Sequence, residues 1–224
     1  MSRKTIFVTG TDTGIGKTVV AAMFTRCLRK RGVEAVGLKP ICSGGREDAR
    51  LLRAAADDAL ALDEVNPWHF KSALAPSLAA REEGKRVTLM DVLFHVKQIR
   101  KRFPIVIVEG AGGLLSPLGA GFDSVGLVRI LRATAFVVCP NRLGAVNQLR
   151  LVLKALPGST RLRAQCVLVE PRRPDAASST NRDLLLEYIP AERLHVFPWL
   201  DNPESARSVR QVEISLQKLL DLFT

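Results

Sequence analysis

The stretch 5–18, TIFVTGTDTGIGKT, decides the fold predicted for this chain. The apolar run at 6–8 is typical of a buried parallel strand. Three glycines follow it, and Lys17 and Thr18 then open a helical segment. Glycine-rich turns of this kind let successive backbone N–H groups point at one anion. The stretch therefore predicts a phosphate-binding loop between a strand and a helix.

This loop supplies the groups that a nucleoside triphosphate requires. Lys17 provides a positive charge for the β- and γ-phosphates, the Thr18 hydroxyl can ligate Mg²⁺, and the helix N-terminus adds a partial positive charge. The usual motif is G-x-x-x-x-G-K-[ST], whereas five residues separate Gly10 from Gly16 here. The order of strand, loop and helix therefore supports the prediction more than the spacing does. The alternative is a plain glycine turn.

The rest of the chain alternates between strand and helix patterns. Further strands are predicted at 34–38, 105–108, 135–139, 165–169 and 195–197. Helices are predicted at 19–31, 48–61, 76–84, 89–99, 125–131, 145–156, 182–188 and 209–223. Such alternation gives right-handed βαβ units and a mostly parallel sheet. We therefore expect residues 1–224 to form a single three-layer α/β/α domain that binds ligands beyond the carboxyl ends of its strands.

Composition and cysteine spacing limit the class of protein. The chain has 224 residues, 47% of them hydrophobic and 25% charged, which is ordinary for a soluble domain. No apolar run approaches the ~20 residues needed to span a bilayer, and no signal peptide follows Met1. We therefore expect a cytoplasmic protein without a membrane partner. The cysteines are far apart in sequence and are predicted to be free thiols: Cys27, Cys42, Cys139 and Cys166.

The formal net charge of +11 raises the question of a nucleic-acid partner. Basic clusters occur at 26–31, 97–102 and 172–173, and the first two fall in the last turns of predicted helices, where cations are favourable. With only one Tyr and two Trp, the chain has few aromatic side chains to stack on bases. We expect a solvated basic surface that attracts phosphate-bearing ligands, and no specific nucleic-acid partner.

Two acidic residues and a lysine are placed to complete the nucleotide site. Glu109 directly follows the strand at 105–108, as the acid of a Walker-B element does, and is predicted to hold Mg²⁺ directly or through water. Asp48 opens a predicted helix and is a second candidate ligand, with a helix N-cap as the alternative. Lys39 ends the second strand on the ligand edge of the sheet, and its alternative is a solvated lysine.

Five segments along the chain resemble the dethiobiotin synthetases, the ATP-dependent cyclo-ligases of biotin synthesis. They are VTGTDTGIGKT at 8–18, LKPICSG at 38–44, VEGAGGLLSPL at 108–118, CPNRLGAVNQ at 139–148 and FPWLDNPE at 197–204. The resemblance implies a P-loop NTPase-like fold and the use of ATP and Mg²⁺. It also implies conversion of 7,8-diaminopelargonate and CO₂ to dethiobiotin through a carbamate that ATP phosphorylates.

The resemblance implies a role for each matched residue. Those around the carbamate and γ-phosphate are Thr13, Lys17 and Lys39, and the metal ligands are Thr18, Asp48 and Glu109. Nucleotide contacts are implied for Gly14, Ile15, Gly16, Lys17, Thr18, Val19, Asp48, Glu109, Gly110, Ala111, Gly112, Val169, Glu170, Pro198, Trp199, Leu200 and Glu204. Substrate contacts are implied for Ser43, Leu143, Gly144, Ala145, Val146 and Asn147. The last five resemble the start of the family's helix whose N-terminus receives the substrate carboxylate from a neighbouring subunit, and this resemblance implies a homodimer.

The chain departs from the family pattern at the nucleotide. Gly14 stands where the family often has an acidic residue. Val169 and Glu170, followed by Pro171, stand where it usually has Asn-Asp to read adenine. A valine cannot form the paired hydrogen bonds that an amide makes to a base edge. The resemblance, and not these residues, therefore carries the prediction of ATP.

Two other classes of protein fit part of the pattern. A partner-switching ATPase of related architecture usually has an additional lysine early in its phosphate loop, where this chain has 11–13, TDT. It would hydrolyse ATP in response to a protein or DNA partner. An amide-forming ATP ligase of cofactor synthesis is the other class, and its larger members add a glutaminase domain for which 224 residues leave no room.

Overall fold

The structure, a computed structural model, describes residues 3–224 and is built around one parallel sheet. The strands are β1 Lys4–Gly10, β2 Ala35–Leu38, β3 Ile41–Ser43, β4 Trp68–Phe70, β5 Ile105–Glu109, β6 Thr134–Pro140, β7 Gln165–Val169 and β8 Leu194–Phe197. Six of them pair in the order β2, β5, β1, β6, β7, β8, all parallel. The short strands β3 and β4 pair separately and also run parallel.

Helices cover both faces of this sheet. They are α1 Lys17–Lys30, α2 Glu47–Ala55, α3 Leu62–Val65, α4 Pro76–Glu82, α5 Leu89–Arg102, α6 Ser124–Leu131, α7 Ala145–Ala155, α8 Gly158–Arg161, α9 Ala176–Leu186, α10 Ala206–Ser215 and α11 Gln217–Leu220, with a 3₁₀ turn at Ala191–Arg193. Helix α1 packs against α2, α10 and α11, whereas α5 packs against α6 and α7 against α9. With right-handed crossovers, these groups lie on opposite faces, as the predicted three-layer architecture requires.

The core joins the sheet to α1 through aromatic packing. Phe24 of α1 meets Phe136 of β6 edge to face with ring centroids 5.0 Å apart. Phe223, which follows α11, packs on both rings at 5.7 and 5.8 Å. Edge-to-face pairs of this kind stabilise a core beyond the area that they bury. The three rings therefore join α1, the sheet and the C-terminal segment in one aromatic cluster.

The predicted strands are all present, but the bounds of several helices differ from those expected, and two helices differ most. The helix predicted at 48–61 ends at Ala55, because Asp57 and Asp58 take positive φ values of 52° and 55° that no helix can contain. The helix predicted at 182–188 already begins at Ala176. Its N-cap is Asp175, whose carboxylate accepts a 2.7 Å hydrogen bond from the N–H of Ser178.

Other elements were missing from the prediction. The strands β3 and β4 have three residues each, and α3 and α8 have four, so none is long enough for a periodic pattern. The final predicted helix at 209–223 is divided at Leu216 into α10 and α11. The four cysteines are buried and free, as predicted. Within residues 3–224, every helix is too short or too polar to cross a membrane.

Candidate active site

The phosphate loop lies between β1 and α1, as predicted. A Cβ at Gly10 would lie 2.4 Å from Cδ1 of Ile15 and 2.9 Å from the carbonyl oxygen of Val138, so only glycine fits there. Gly16 precedes α1 with a φ of 92°, a left-handed conformation that favours glycine. No side chain among the described residues caps α1, so its first N–H groups are available to an anion.

Lys17, the first residue of α1, is buried beneath this loop. Its ammonium donates a 2.6 Å hydrogen bond to the carbonyl oxygen of Asp12. Burial lowers the pKa of Lys17, while the nearby Glu109 carboxylate opposes the shift. The loop therefore folds around its lysine. When a triphosphate is bound, its oxygens would replace the Asp12 carbonyl oxygen as acceptors for the Lys17 ammonium.

The centre of the site is an ion cluster that the sheet itself assembles. Strands β2 and β5 are neighbours, and Leu38 pairs with Val108, so the next residues along the two strands are Lys39 and Glu109. The Lys39 ammonium lies 2.5 Å from Oε1 of Glu109. It also lies 2.8 Å from Oδ2 of Asp48 in the first turn of α2. Three residues that are far apart in sequence therefore form one contact group.

The charges in this cluster shift one another's pKa. Burial would lower the pKa of Lys39, but the Glu109 and Asp48 carboxylates outweigh it and raise that pKa above its usual value. Burial raises the pKa of Glu109, although Lys39 opposes the shift. Burial acts to raise the pKa of Asp48 as well, but Lys39 outweighs it and lowers that pKa. Lys39 therefore remains protonated at neutral pH between the two acids.

The oxygens of Thr18, Asp48 and Glu109 fit a magnesium ion. Oε1 of Glu109 accepts a 2.9 Å hydrogen bond from the Thr18 hydroxyl. Oε2 of Glu109 is buried and has no hydrogen-bond partner among the described residues, which is costly unless a cation takes that place. Residues 3–224 contain no group of three His, Cys, Asp or Glu that could hold a metal. Mg²⁺ would therefore complete its shell with waters and phosphate oxygens, as it usually does.

A cleft of about 720 Å³ opens beside this cluster. Predicted site residues that line it are Thr13, Gly14, Ile15, Gly16, Lys17, Thr18, Val19, Lys39, Ser43, Asp48, Glu109, Ala111 and Gly112. Gly110 lies just behind the wall, where its N–H donates to the carbonyl oxygen of Val8 at 3.0 Å. A Cβ at Gly112 would lie 3.7 Å from the Thr13 hydroxyl, so the two loops face each other closely.

The remaining predicted nucleotide residues lie outside this cleft, at the carboxyl ends of β7 and β8. Val169 packs against the phosphate loop, since a Cβ at Gly16 would lie 3.7 Å from its Cγ1. The Glu170 carboxylate accepts a 3.1 Å hydrogen bond from Asn141. The residues after β8 are largely on the surface, and Trp199 is 46% exposed. They are Pro198, Trp199, Leu200 and Glu204.

The predicted substrate residues divide into two groups. Ser43 lines the cleft, where its hydroxyl donates to the carbonyl oxygen of Leu74 at 2.5 Å. The other five surround the N-terminus of α7, which Gly144 precedes with a φ of 90°. Leu143 beside it is 86% exposed. This group does not line the cleft of its own chain: Leu143, Gly144, Ala145, Val146 and Asn147.

Comparison with known sequences identifies the family. A family model described as an AAA domain matches residues 4–207. The ATP-dependent dethiobiotin synthetase BioD of Anaeromyxobacter dehalogenans strain 2CP-1 is 38% identical over 212 residues, which cover 92% of this chain and 94% of the relative. The chain belongs to the ATP-dependent dethiobiotin synthetase family. The corresponding enzyme of Xylella fastidiosa strain Temecula1 is 43% identical over 164 residues, covering 70% and 73% of the two chains.

Solved structures of other proteins share the fold of this dethiobiotin synthetase family member. A putative plasmid partition protein of Borrelia burgdorferi B31, bound to AMPPNP, matches with a TM-score of 0.61 at 11% identity over 100% of both chains. The MinC:MinD complex of Aquifex aeolicus matches with a TM-score of 0.59 at 12% identity, covering 98% and 94%. Identities this low show a common fold alone.

Several residues that close the cleft of this family member were missed by the sequence analysis. Two segments form a further part of the cleft wall: Ala73, Leu74, Ala75 and Pro76 at the start of α4, and Ser116 and Pro117 after β5. The Ser116 hydroxyl accepts a 2.9 Å hydrogen bond from the N–H of Gly113, which fixes the second segment. Ser116 and Pro117 lie inside the family segment at 108–118, and that position was the available signal.

Proposed function

We propose that this chain is an ATP-dependent cyclo-ligase that converts 7,8-diaminopelargonate and CO₂ to dethiobiotin, with release of ADP and phosphate, in biotin biosynthesis. The observation that carries the proposal is the ion cluster of Lys39, Asp48 and Glu109 beside Thr18, at the open end of a phosphate loop. The family assignment supports the same reaction. The reaction requires ATP, Mg²⁺, the diamine and CO₂.

The proposed reaction needs no covalent nucleophile from the protein. One substrate amine attacks CO₂ and loses a proton, which gives a carbamate. A carbamate oxygen attacks the γ-phosphorus of ATP, and ADP leaves. The second amine then attacks the carbamate carbon and loses a proton as phosphate leaves with the electrons of the C–O bond, so the ureido ring closes. Positioning and preorganised positive charge are therefore the protein's tasks.

The chain's own cations fit these tasks. Lys17 and Lys39 border the same cleft and would contact the γ-phosphate and the carbamate, with the Thr13 hydroxyl beside them. Mg²⁺, when held by Thr18, Asp48 and Glu109, neutralises charge on the phosphate oxygens. The two lysines also disfavour a protonated substrate amine, so that a free amine meets CO₂. We assign the nucleotide to the loops that end β1, β5, β7 and β8.

One direct test supplies labelled bicarbonate, 7,8-diaminopelargonate and Mg²⁺ with each nucleoside triphosphate in turn. We expect labelled dethiobiotin with ATP, and no stoichiometric hydrolysis when the diamine or CO₂ is omitted, because the attacking oxygen belongs to the carbamate. The product formed with each triphosphate also measures the base selectivity of a site that has Val169 and Glu170 at these positions. Absence of labelled product with every triphosphate would overturn the proposal, and partner-stimulated hydrolysis alone would favour the switching ATPase.

We further propose a homodimer in which each α7 N-terminus serves the partner's cleft. The five residues from Leu143 to Asn147 lie outside the cleft of their own chain, and Leu143 is 86% exposed. A free helix N-terminus is a ready site for a carboxylate. Sharing of the site between two chains would therefore bring these residues to the substrate. The cytoplasmic location remains a prediction from the sequence.

Mixed subunits test this arrangement. Lys39→Ala and Asn147→Asp each disable one half of a shared site, the second by placing a negative charge near the substrate carboxylate. When both variants are co-expressed with different tags, half of the dimers are mixed and each has one intact site, so activity should recover to about a quarter of the wild-type value. If the co-expressed protein is no more active than the mean of the two variants measured separately, the proposal of a site shared between two chains is contradicted.

A further inference from the structure

Asn66, at the end of α3, is a buried amide whose hydrogen bonds all converge on the active-site lysine loop. The residue is 1% exposed. Its Nδ2 donates to the carbonyl oxygens of Lys39 at 2.7 Å and Pro40 at 3.5 Å. Its Oδ1 accepts from Nε of Arg46 at 3.1 Å and from the Cys42 thiol at 3.2 Å. A fully satisfied buried amide of this kind fixes the segments that it joins.

The main chain of Lys39 depends on this anchor for its orientation. Strand β2 lies at the edge of the sheet and ends at Leu38, so Lys39 is the first residue beyond the ladder. Its N–H donates to the carbonyl oxygen of Val65 at 2.9 Å, and its carbonyl oxygen accepts from Asn66. Both backbone polar groups of Lys39 are therefore held by two consecutive residues at the end of α3.

The same amide also fixes the start of the helix that carries Asp48. Arg46 is the N-cap residue of α2, two positions before Asp48. Besides Oδ1 of Asn66, its guanidinium contacts the carbonyl oxygens of Asn66 at 2.9 Å and Leu62 at 3.2 Å. Asn66 therefore links the backbone of Lys39 to the beginning of α2. One side chain thus contacts both the segment that carries Lys39 and the segment that carries Asp48, the two partners of the ion pair.

We infer that Asn66 is a positioning residue for the proposed ligase reaction, on which this inference rests. It sets the distance between Lys39 and Asp48, and thereby places the Lys39 ammonium against the carbamate and γ-phosphate. A lysine has a long flexible side chain, so the position of its ammonium depends on how firmly its backbone is fixed. A misplacement of about 1 Å in a reacting site can lower a rate on the order of 10²-fold.

A merely structural role makes a different prediction. Loss of a buried amide contact would then destabilise the fold and lower activity by the same factor whether or not Lys39 is present. If Asn66 acts through Lys39, its effect on turnover requires Lys39, whereas its effect on stability does not. The two roles are therefore separated by combining substitutions at both positions.

The test measures single-turnover formation of labelled dethiobiotin, with enzyme in excess, and the melting temperature of each variant. Asn66→Ala should lower the rate by about 10- to 100-fold in the wild-type background, with the nucleotide KM changed less than about 3-fold. In the Lys39→Ala background it should change the rate by less than about 2-fold. The fall in melting temperature should be similar in both backgrounds.

Gln165→Ala is the matched control. Gln165 is also a buried amide, 7% exposed, and contacts His195 at 2.8 Å at the first residue of β7, the end of that strand opposite the ligand edge. Its loss should lower the melting temperature without a rate effect that depends on Lys39. If Asn66→Ala does not fold, Asn66→Asp replaces it, because the carboxylate keeps an acceptor for Arg46 and Cys42 and removes the Nδ2 donor to the carbonyl oxygens of Lys39 and Pro40.

The outcomes are distinct from those that test the ligase function itself. No dethiobiotin from the wild-type protein would refute the proposed function. An active wild-type protein with a rate within about 2-fold for the Asn66 variant would refute the positioning role. Equal rate losses in the two Lys39 backgrounds would also refute it, and would leave Asn66 as a residue of the fold alone.

Discussion

We expect replacement of Lys39 with alanine to lower dethiobiotin formation by on the order of 10²- to 10³-fold with the fold retained, because one preorganised charge is lost. The ammonium lies 2.5 Å from Glu109 and 2.8 Å from Asp48, on the wall of the cleft. No other side chain of the site occupies that position. The loss should fall mainly on turnover, because Lys17 and the loop N–H groups still bind the triphosphate.

The fold should survive because Glu109 has a neutral alternative. Burial already raises the pKa of Glu109, and removal of Lys39 removes the nearby charge that most opposes this shift, so the variant favours the neutral form of the carboxyl over a buried charge. Circular dichroism and thermal melting check this point. Lys30→Ala, which breaks an exposed ion pair with Glu213, is the control and should retain activity. Near wild-type turnover of the Lys39 variant would remove this residue from the reacting site.

Replacing Glu109 with glutamine should shift the Mg²⁺ dependence of the reaction to higher concentrations. The amide keeps the size of the side chain and one oxygen for the Thr18 hydroxyl, but it removes the negative charge. It also removes Oε2, the buried oxygen without a partner among the described residues. We expect half-saturating Mg²⁺ to rise by about 10- to 100-fold, the range seen when groups that support a metal are removed.

A magnesium titration of turnover at saturating ATP provides the measurement. Glu213→Gln is the matched control, since Glu213 is a partly buried acid in an ion pair with Lys30 and lies on α10, outside the residues that line the cleft. Its titration should overlay that of the wild-type protein. An unchanged titration for the Glu109 variant would contradict the assignment of this carboxylate to the metal.

The parts of the site that could be predicted from the sequence are those that directly follow the carboxyl end of a strand. The phosphate loop, Lys39 and Glu109 each follow an apolar run closely, and parallel strands bring their carboxyl ends to one edge. The contact between Lys39 and Glu109 needed one further fact, the pairing of β2 with β5, which no local pattern contains. The sequence therefore indicated the members of the cluster but not their contacts.

The segment between β2 and β5 contains the elements and contacts that sequence patterns did not predict. It contains β3, β4 and α3, elements of three or four residues: β3 pairs with β4, and α3 lies against α2 and β2. Asn66 belongs to this segment, and its partners Lys39, Cys42 and Arg46 lie more than ten residues away. The helix predicted through residue 61 also failed here, because Ala- and Leu-rich composition favours a helix that Asp57 and Asp58 interrupt.

The aromatic contact of Phe223 affects how substitutions in this protein should be interpreted. Its ring packs on Phe24, in the middle of the helix whose first two residues are Lys17 and Thr18. A smaller side chain at 223 would leave a cavity under that helix, so nucleotide binding could weaken with every binding residue intact. A scan for activity alone would assign Phe223 to the site, and only a stability measurement beside it would identify the residue as a support.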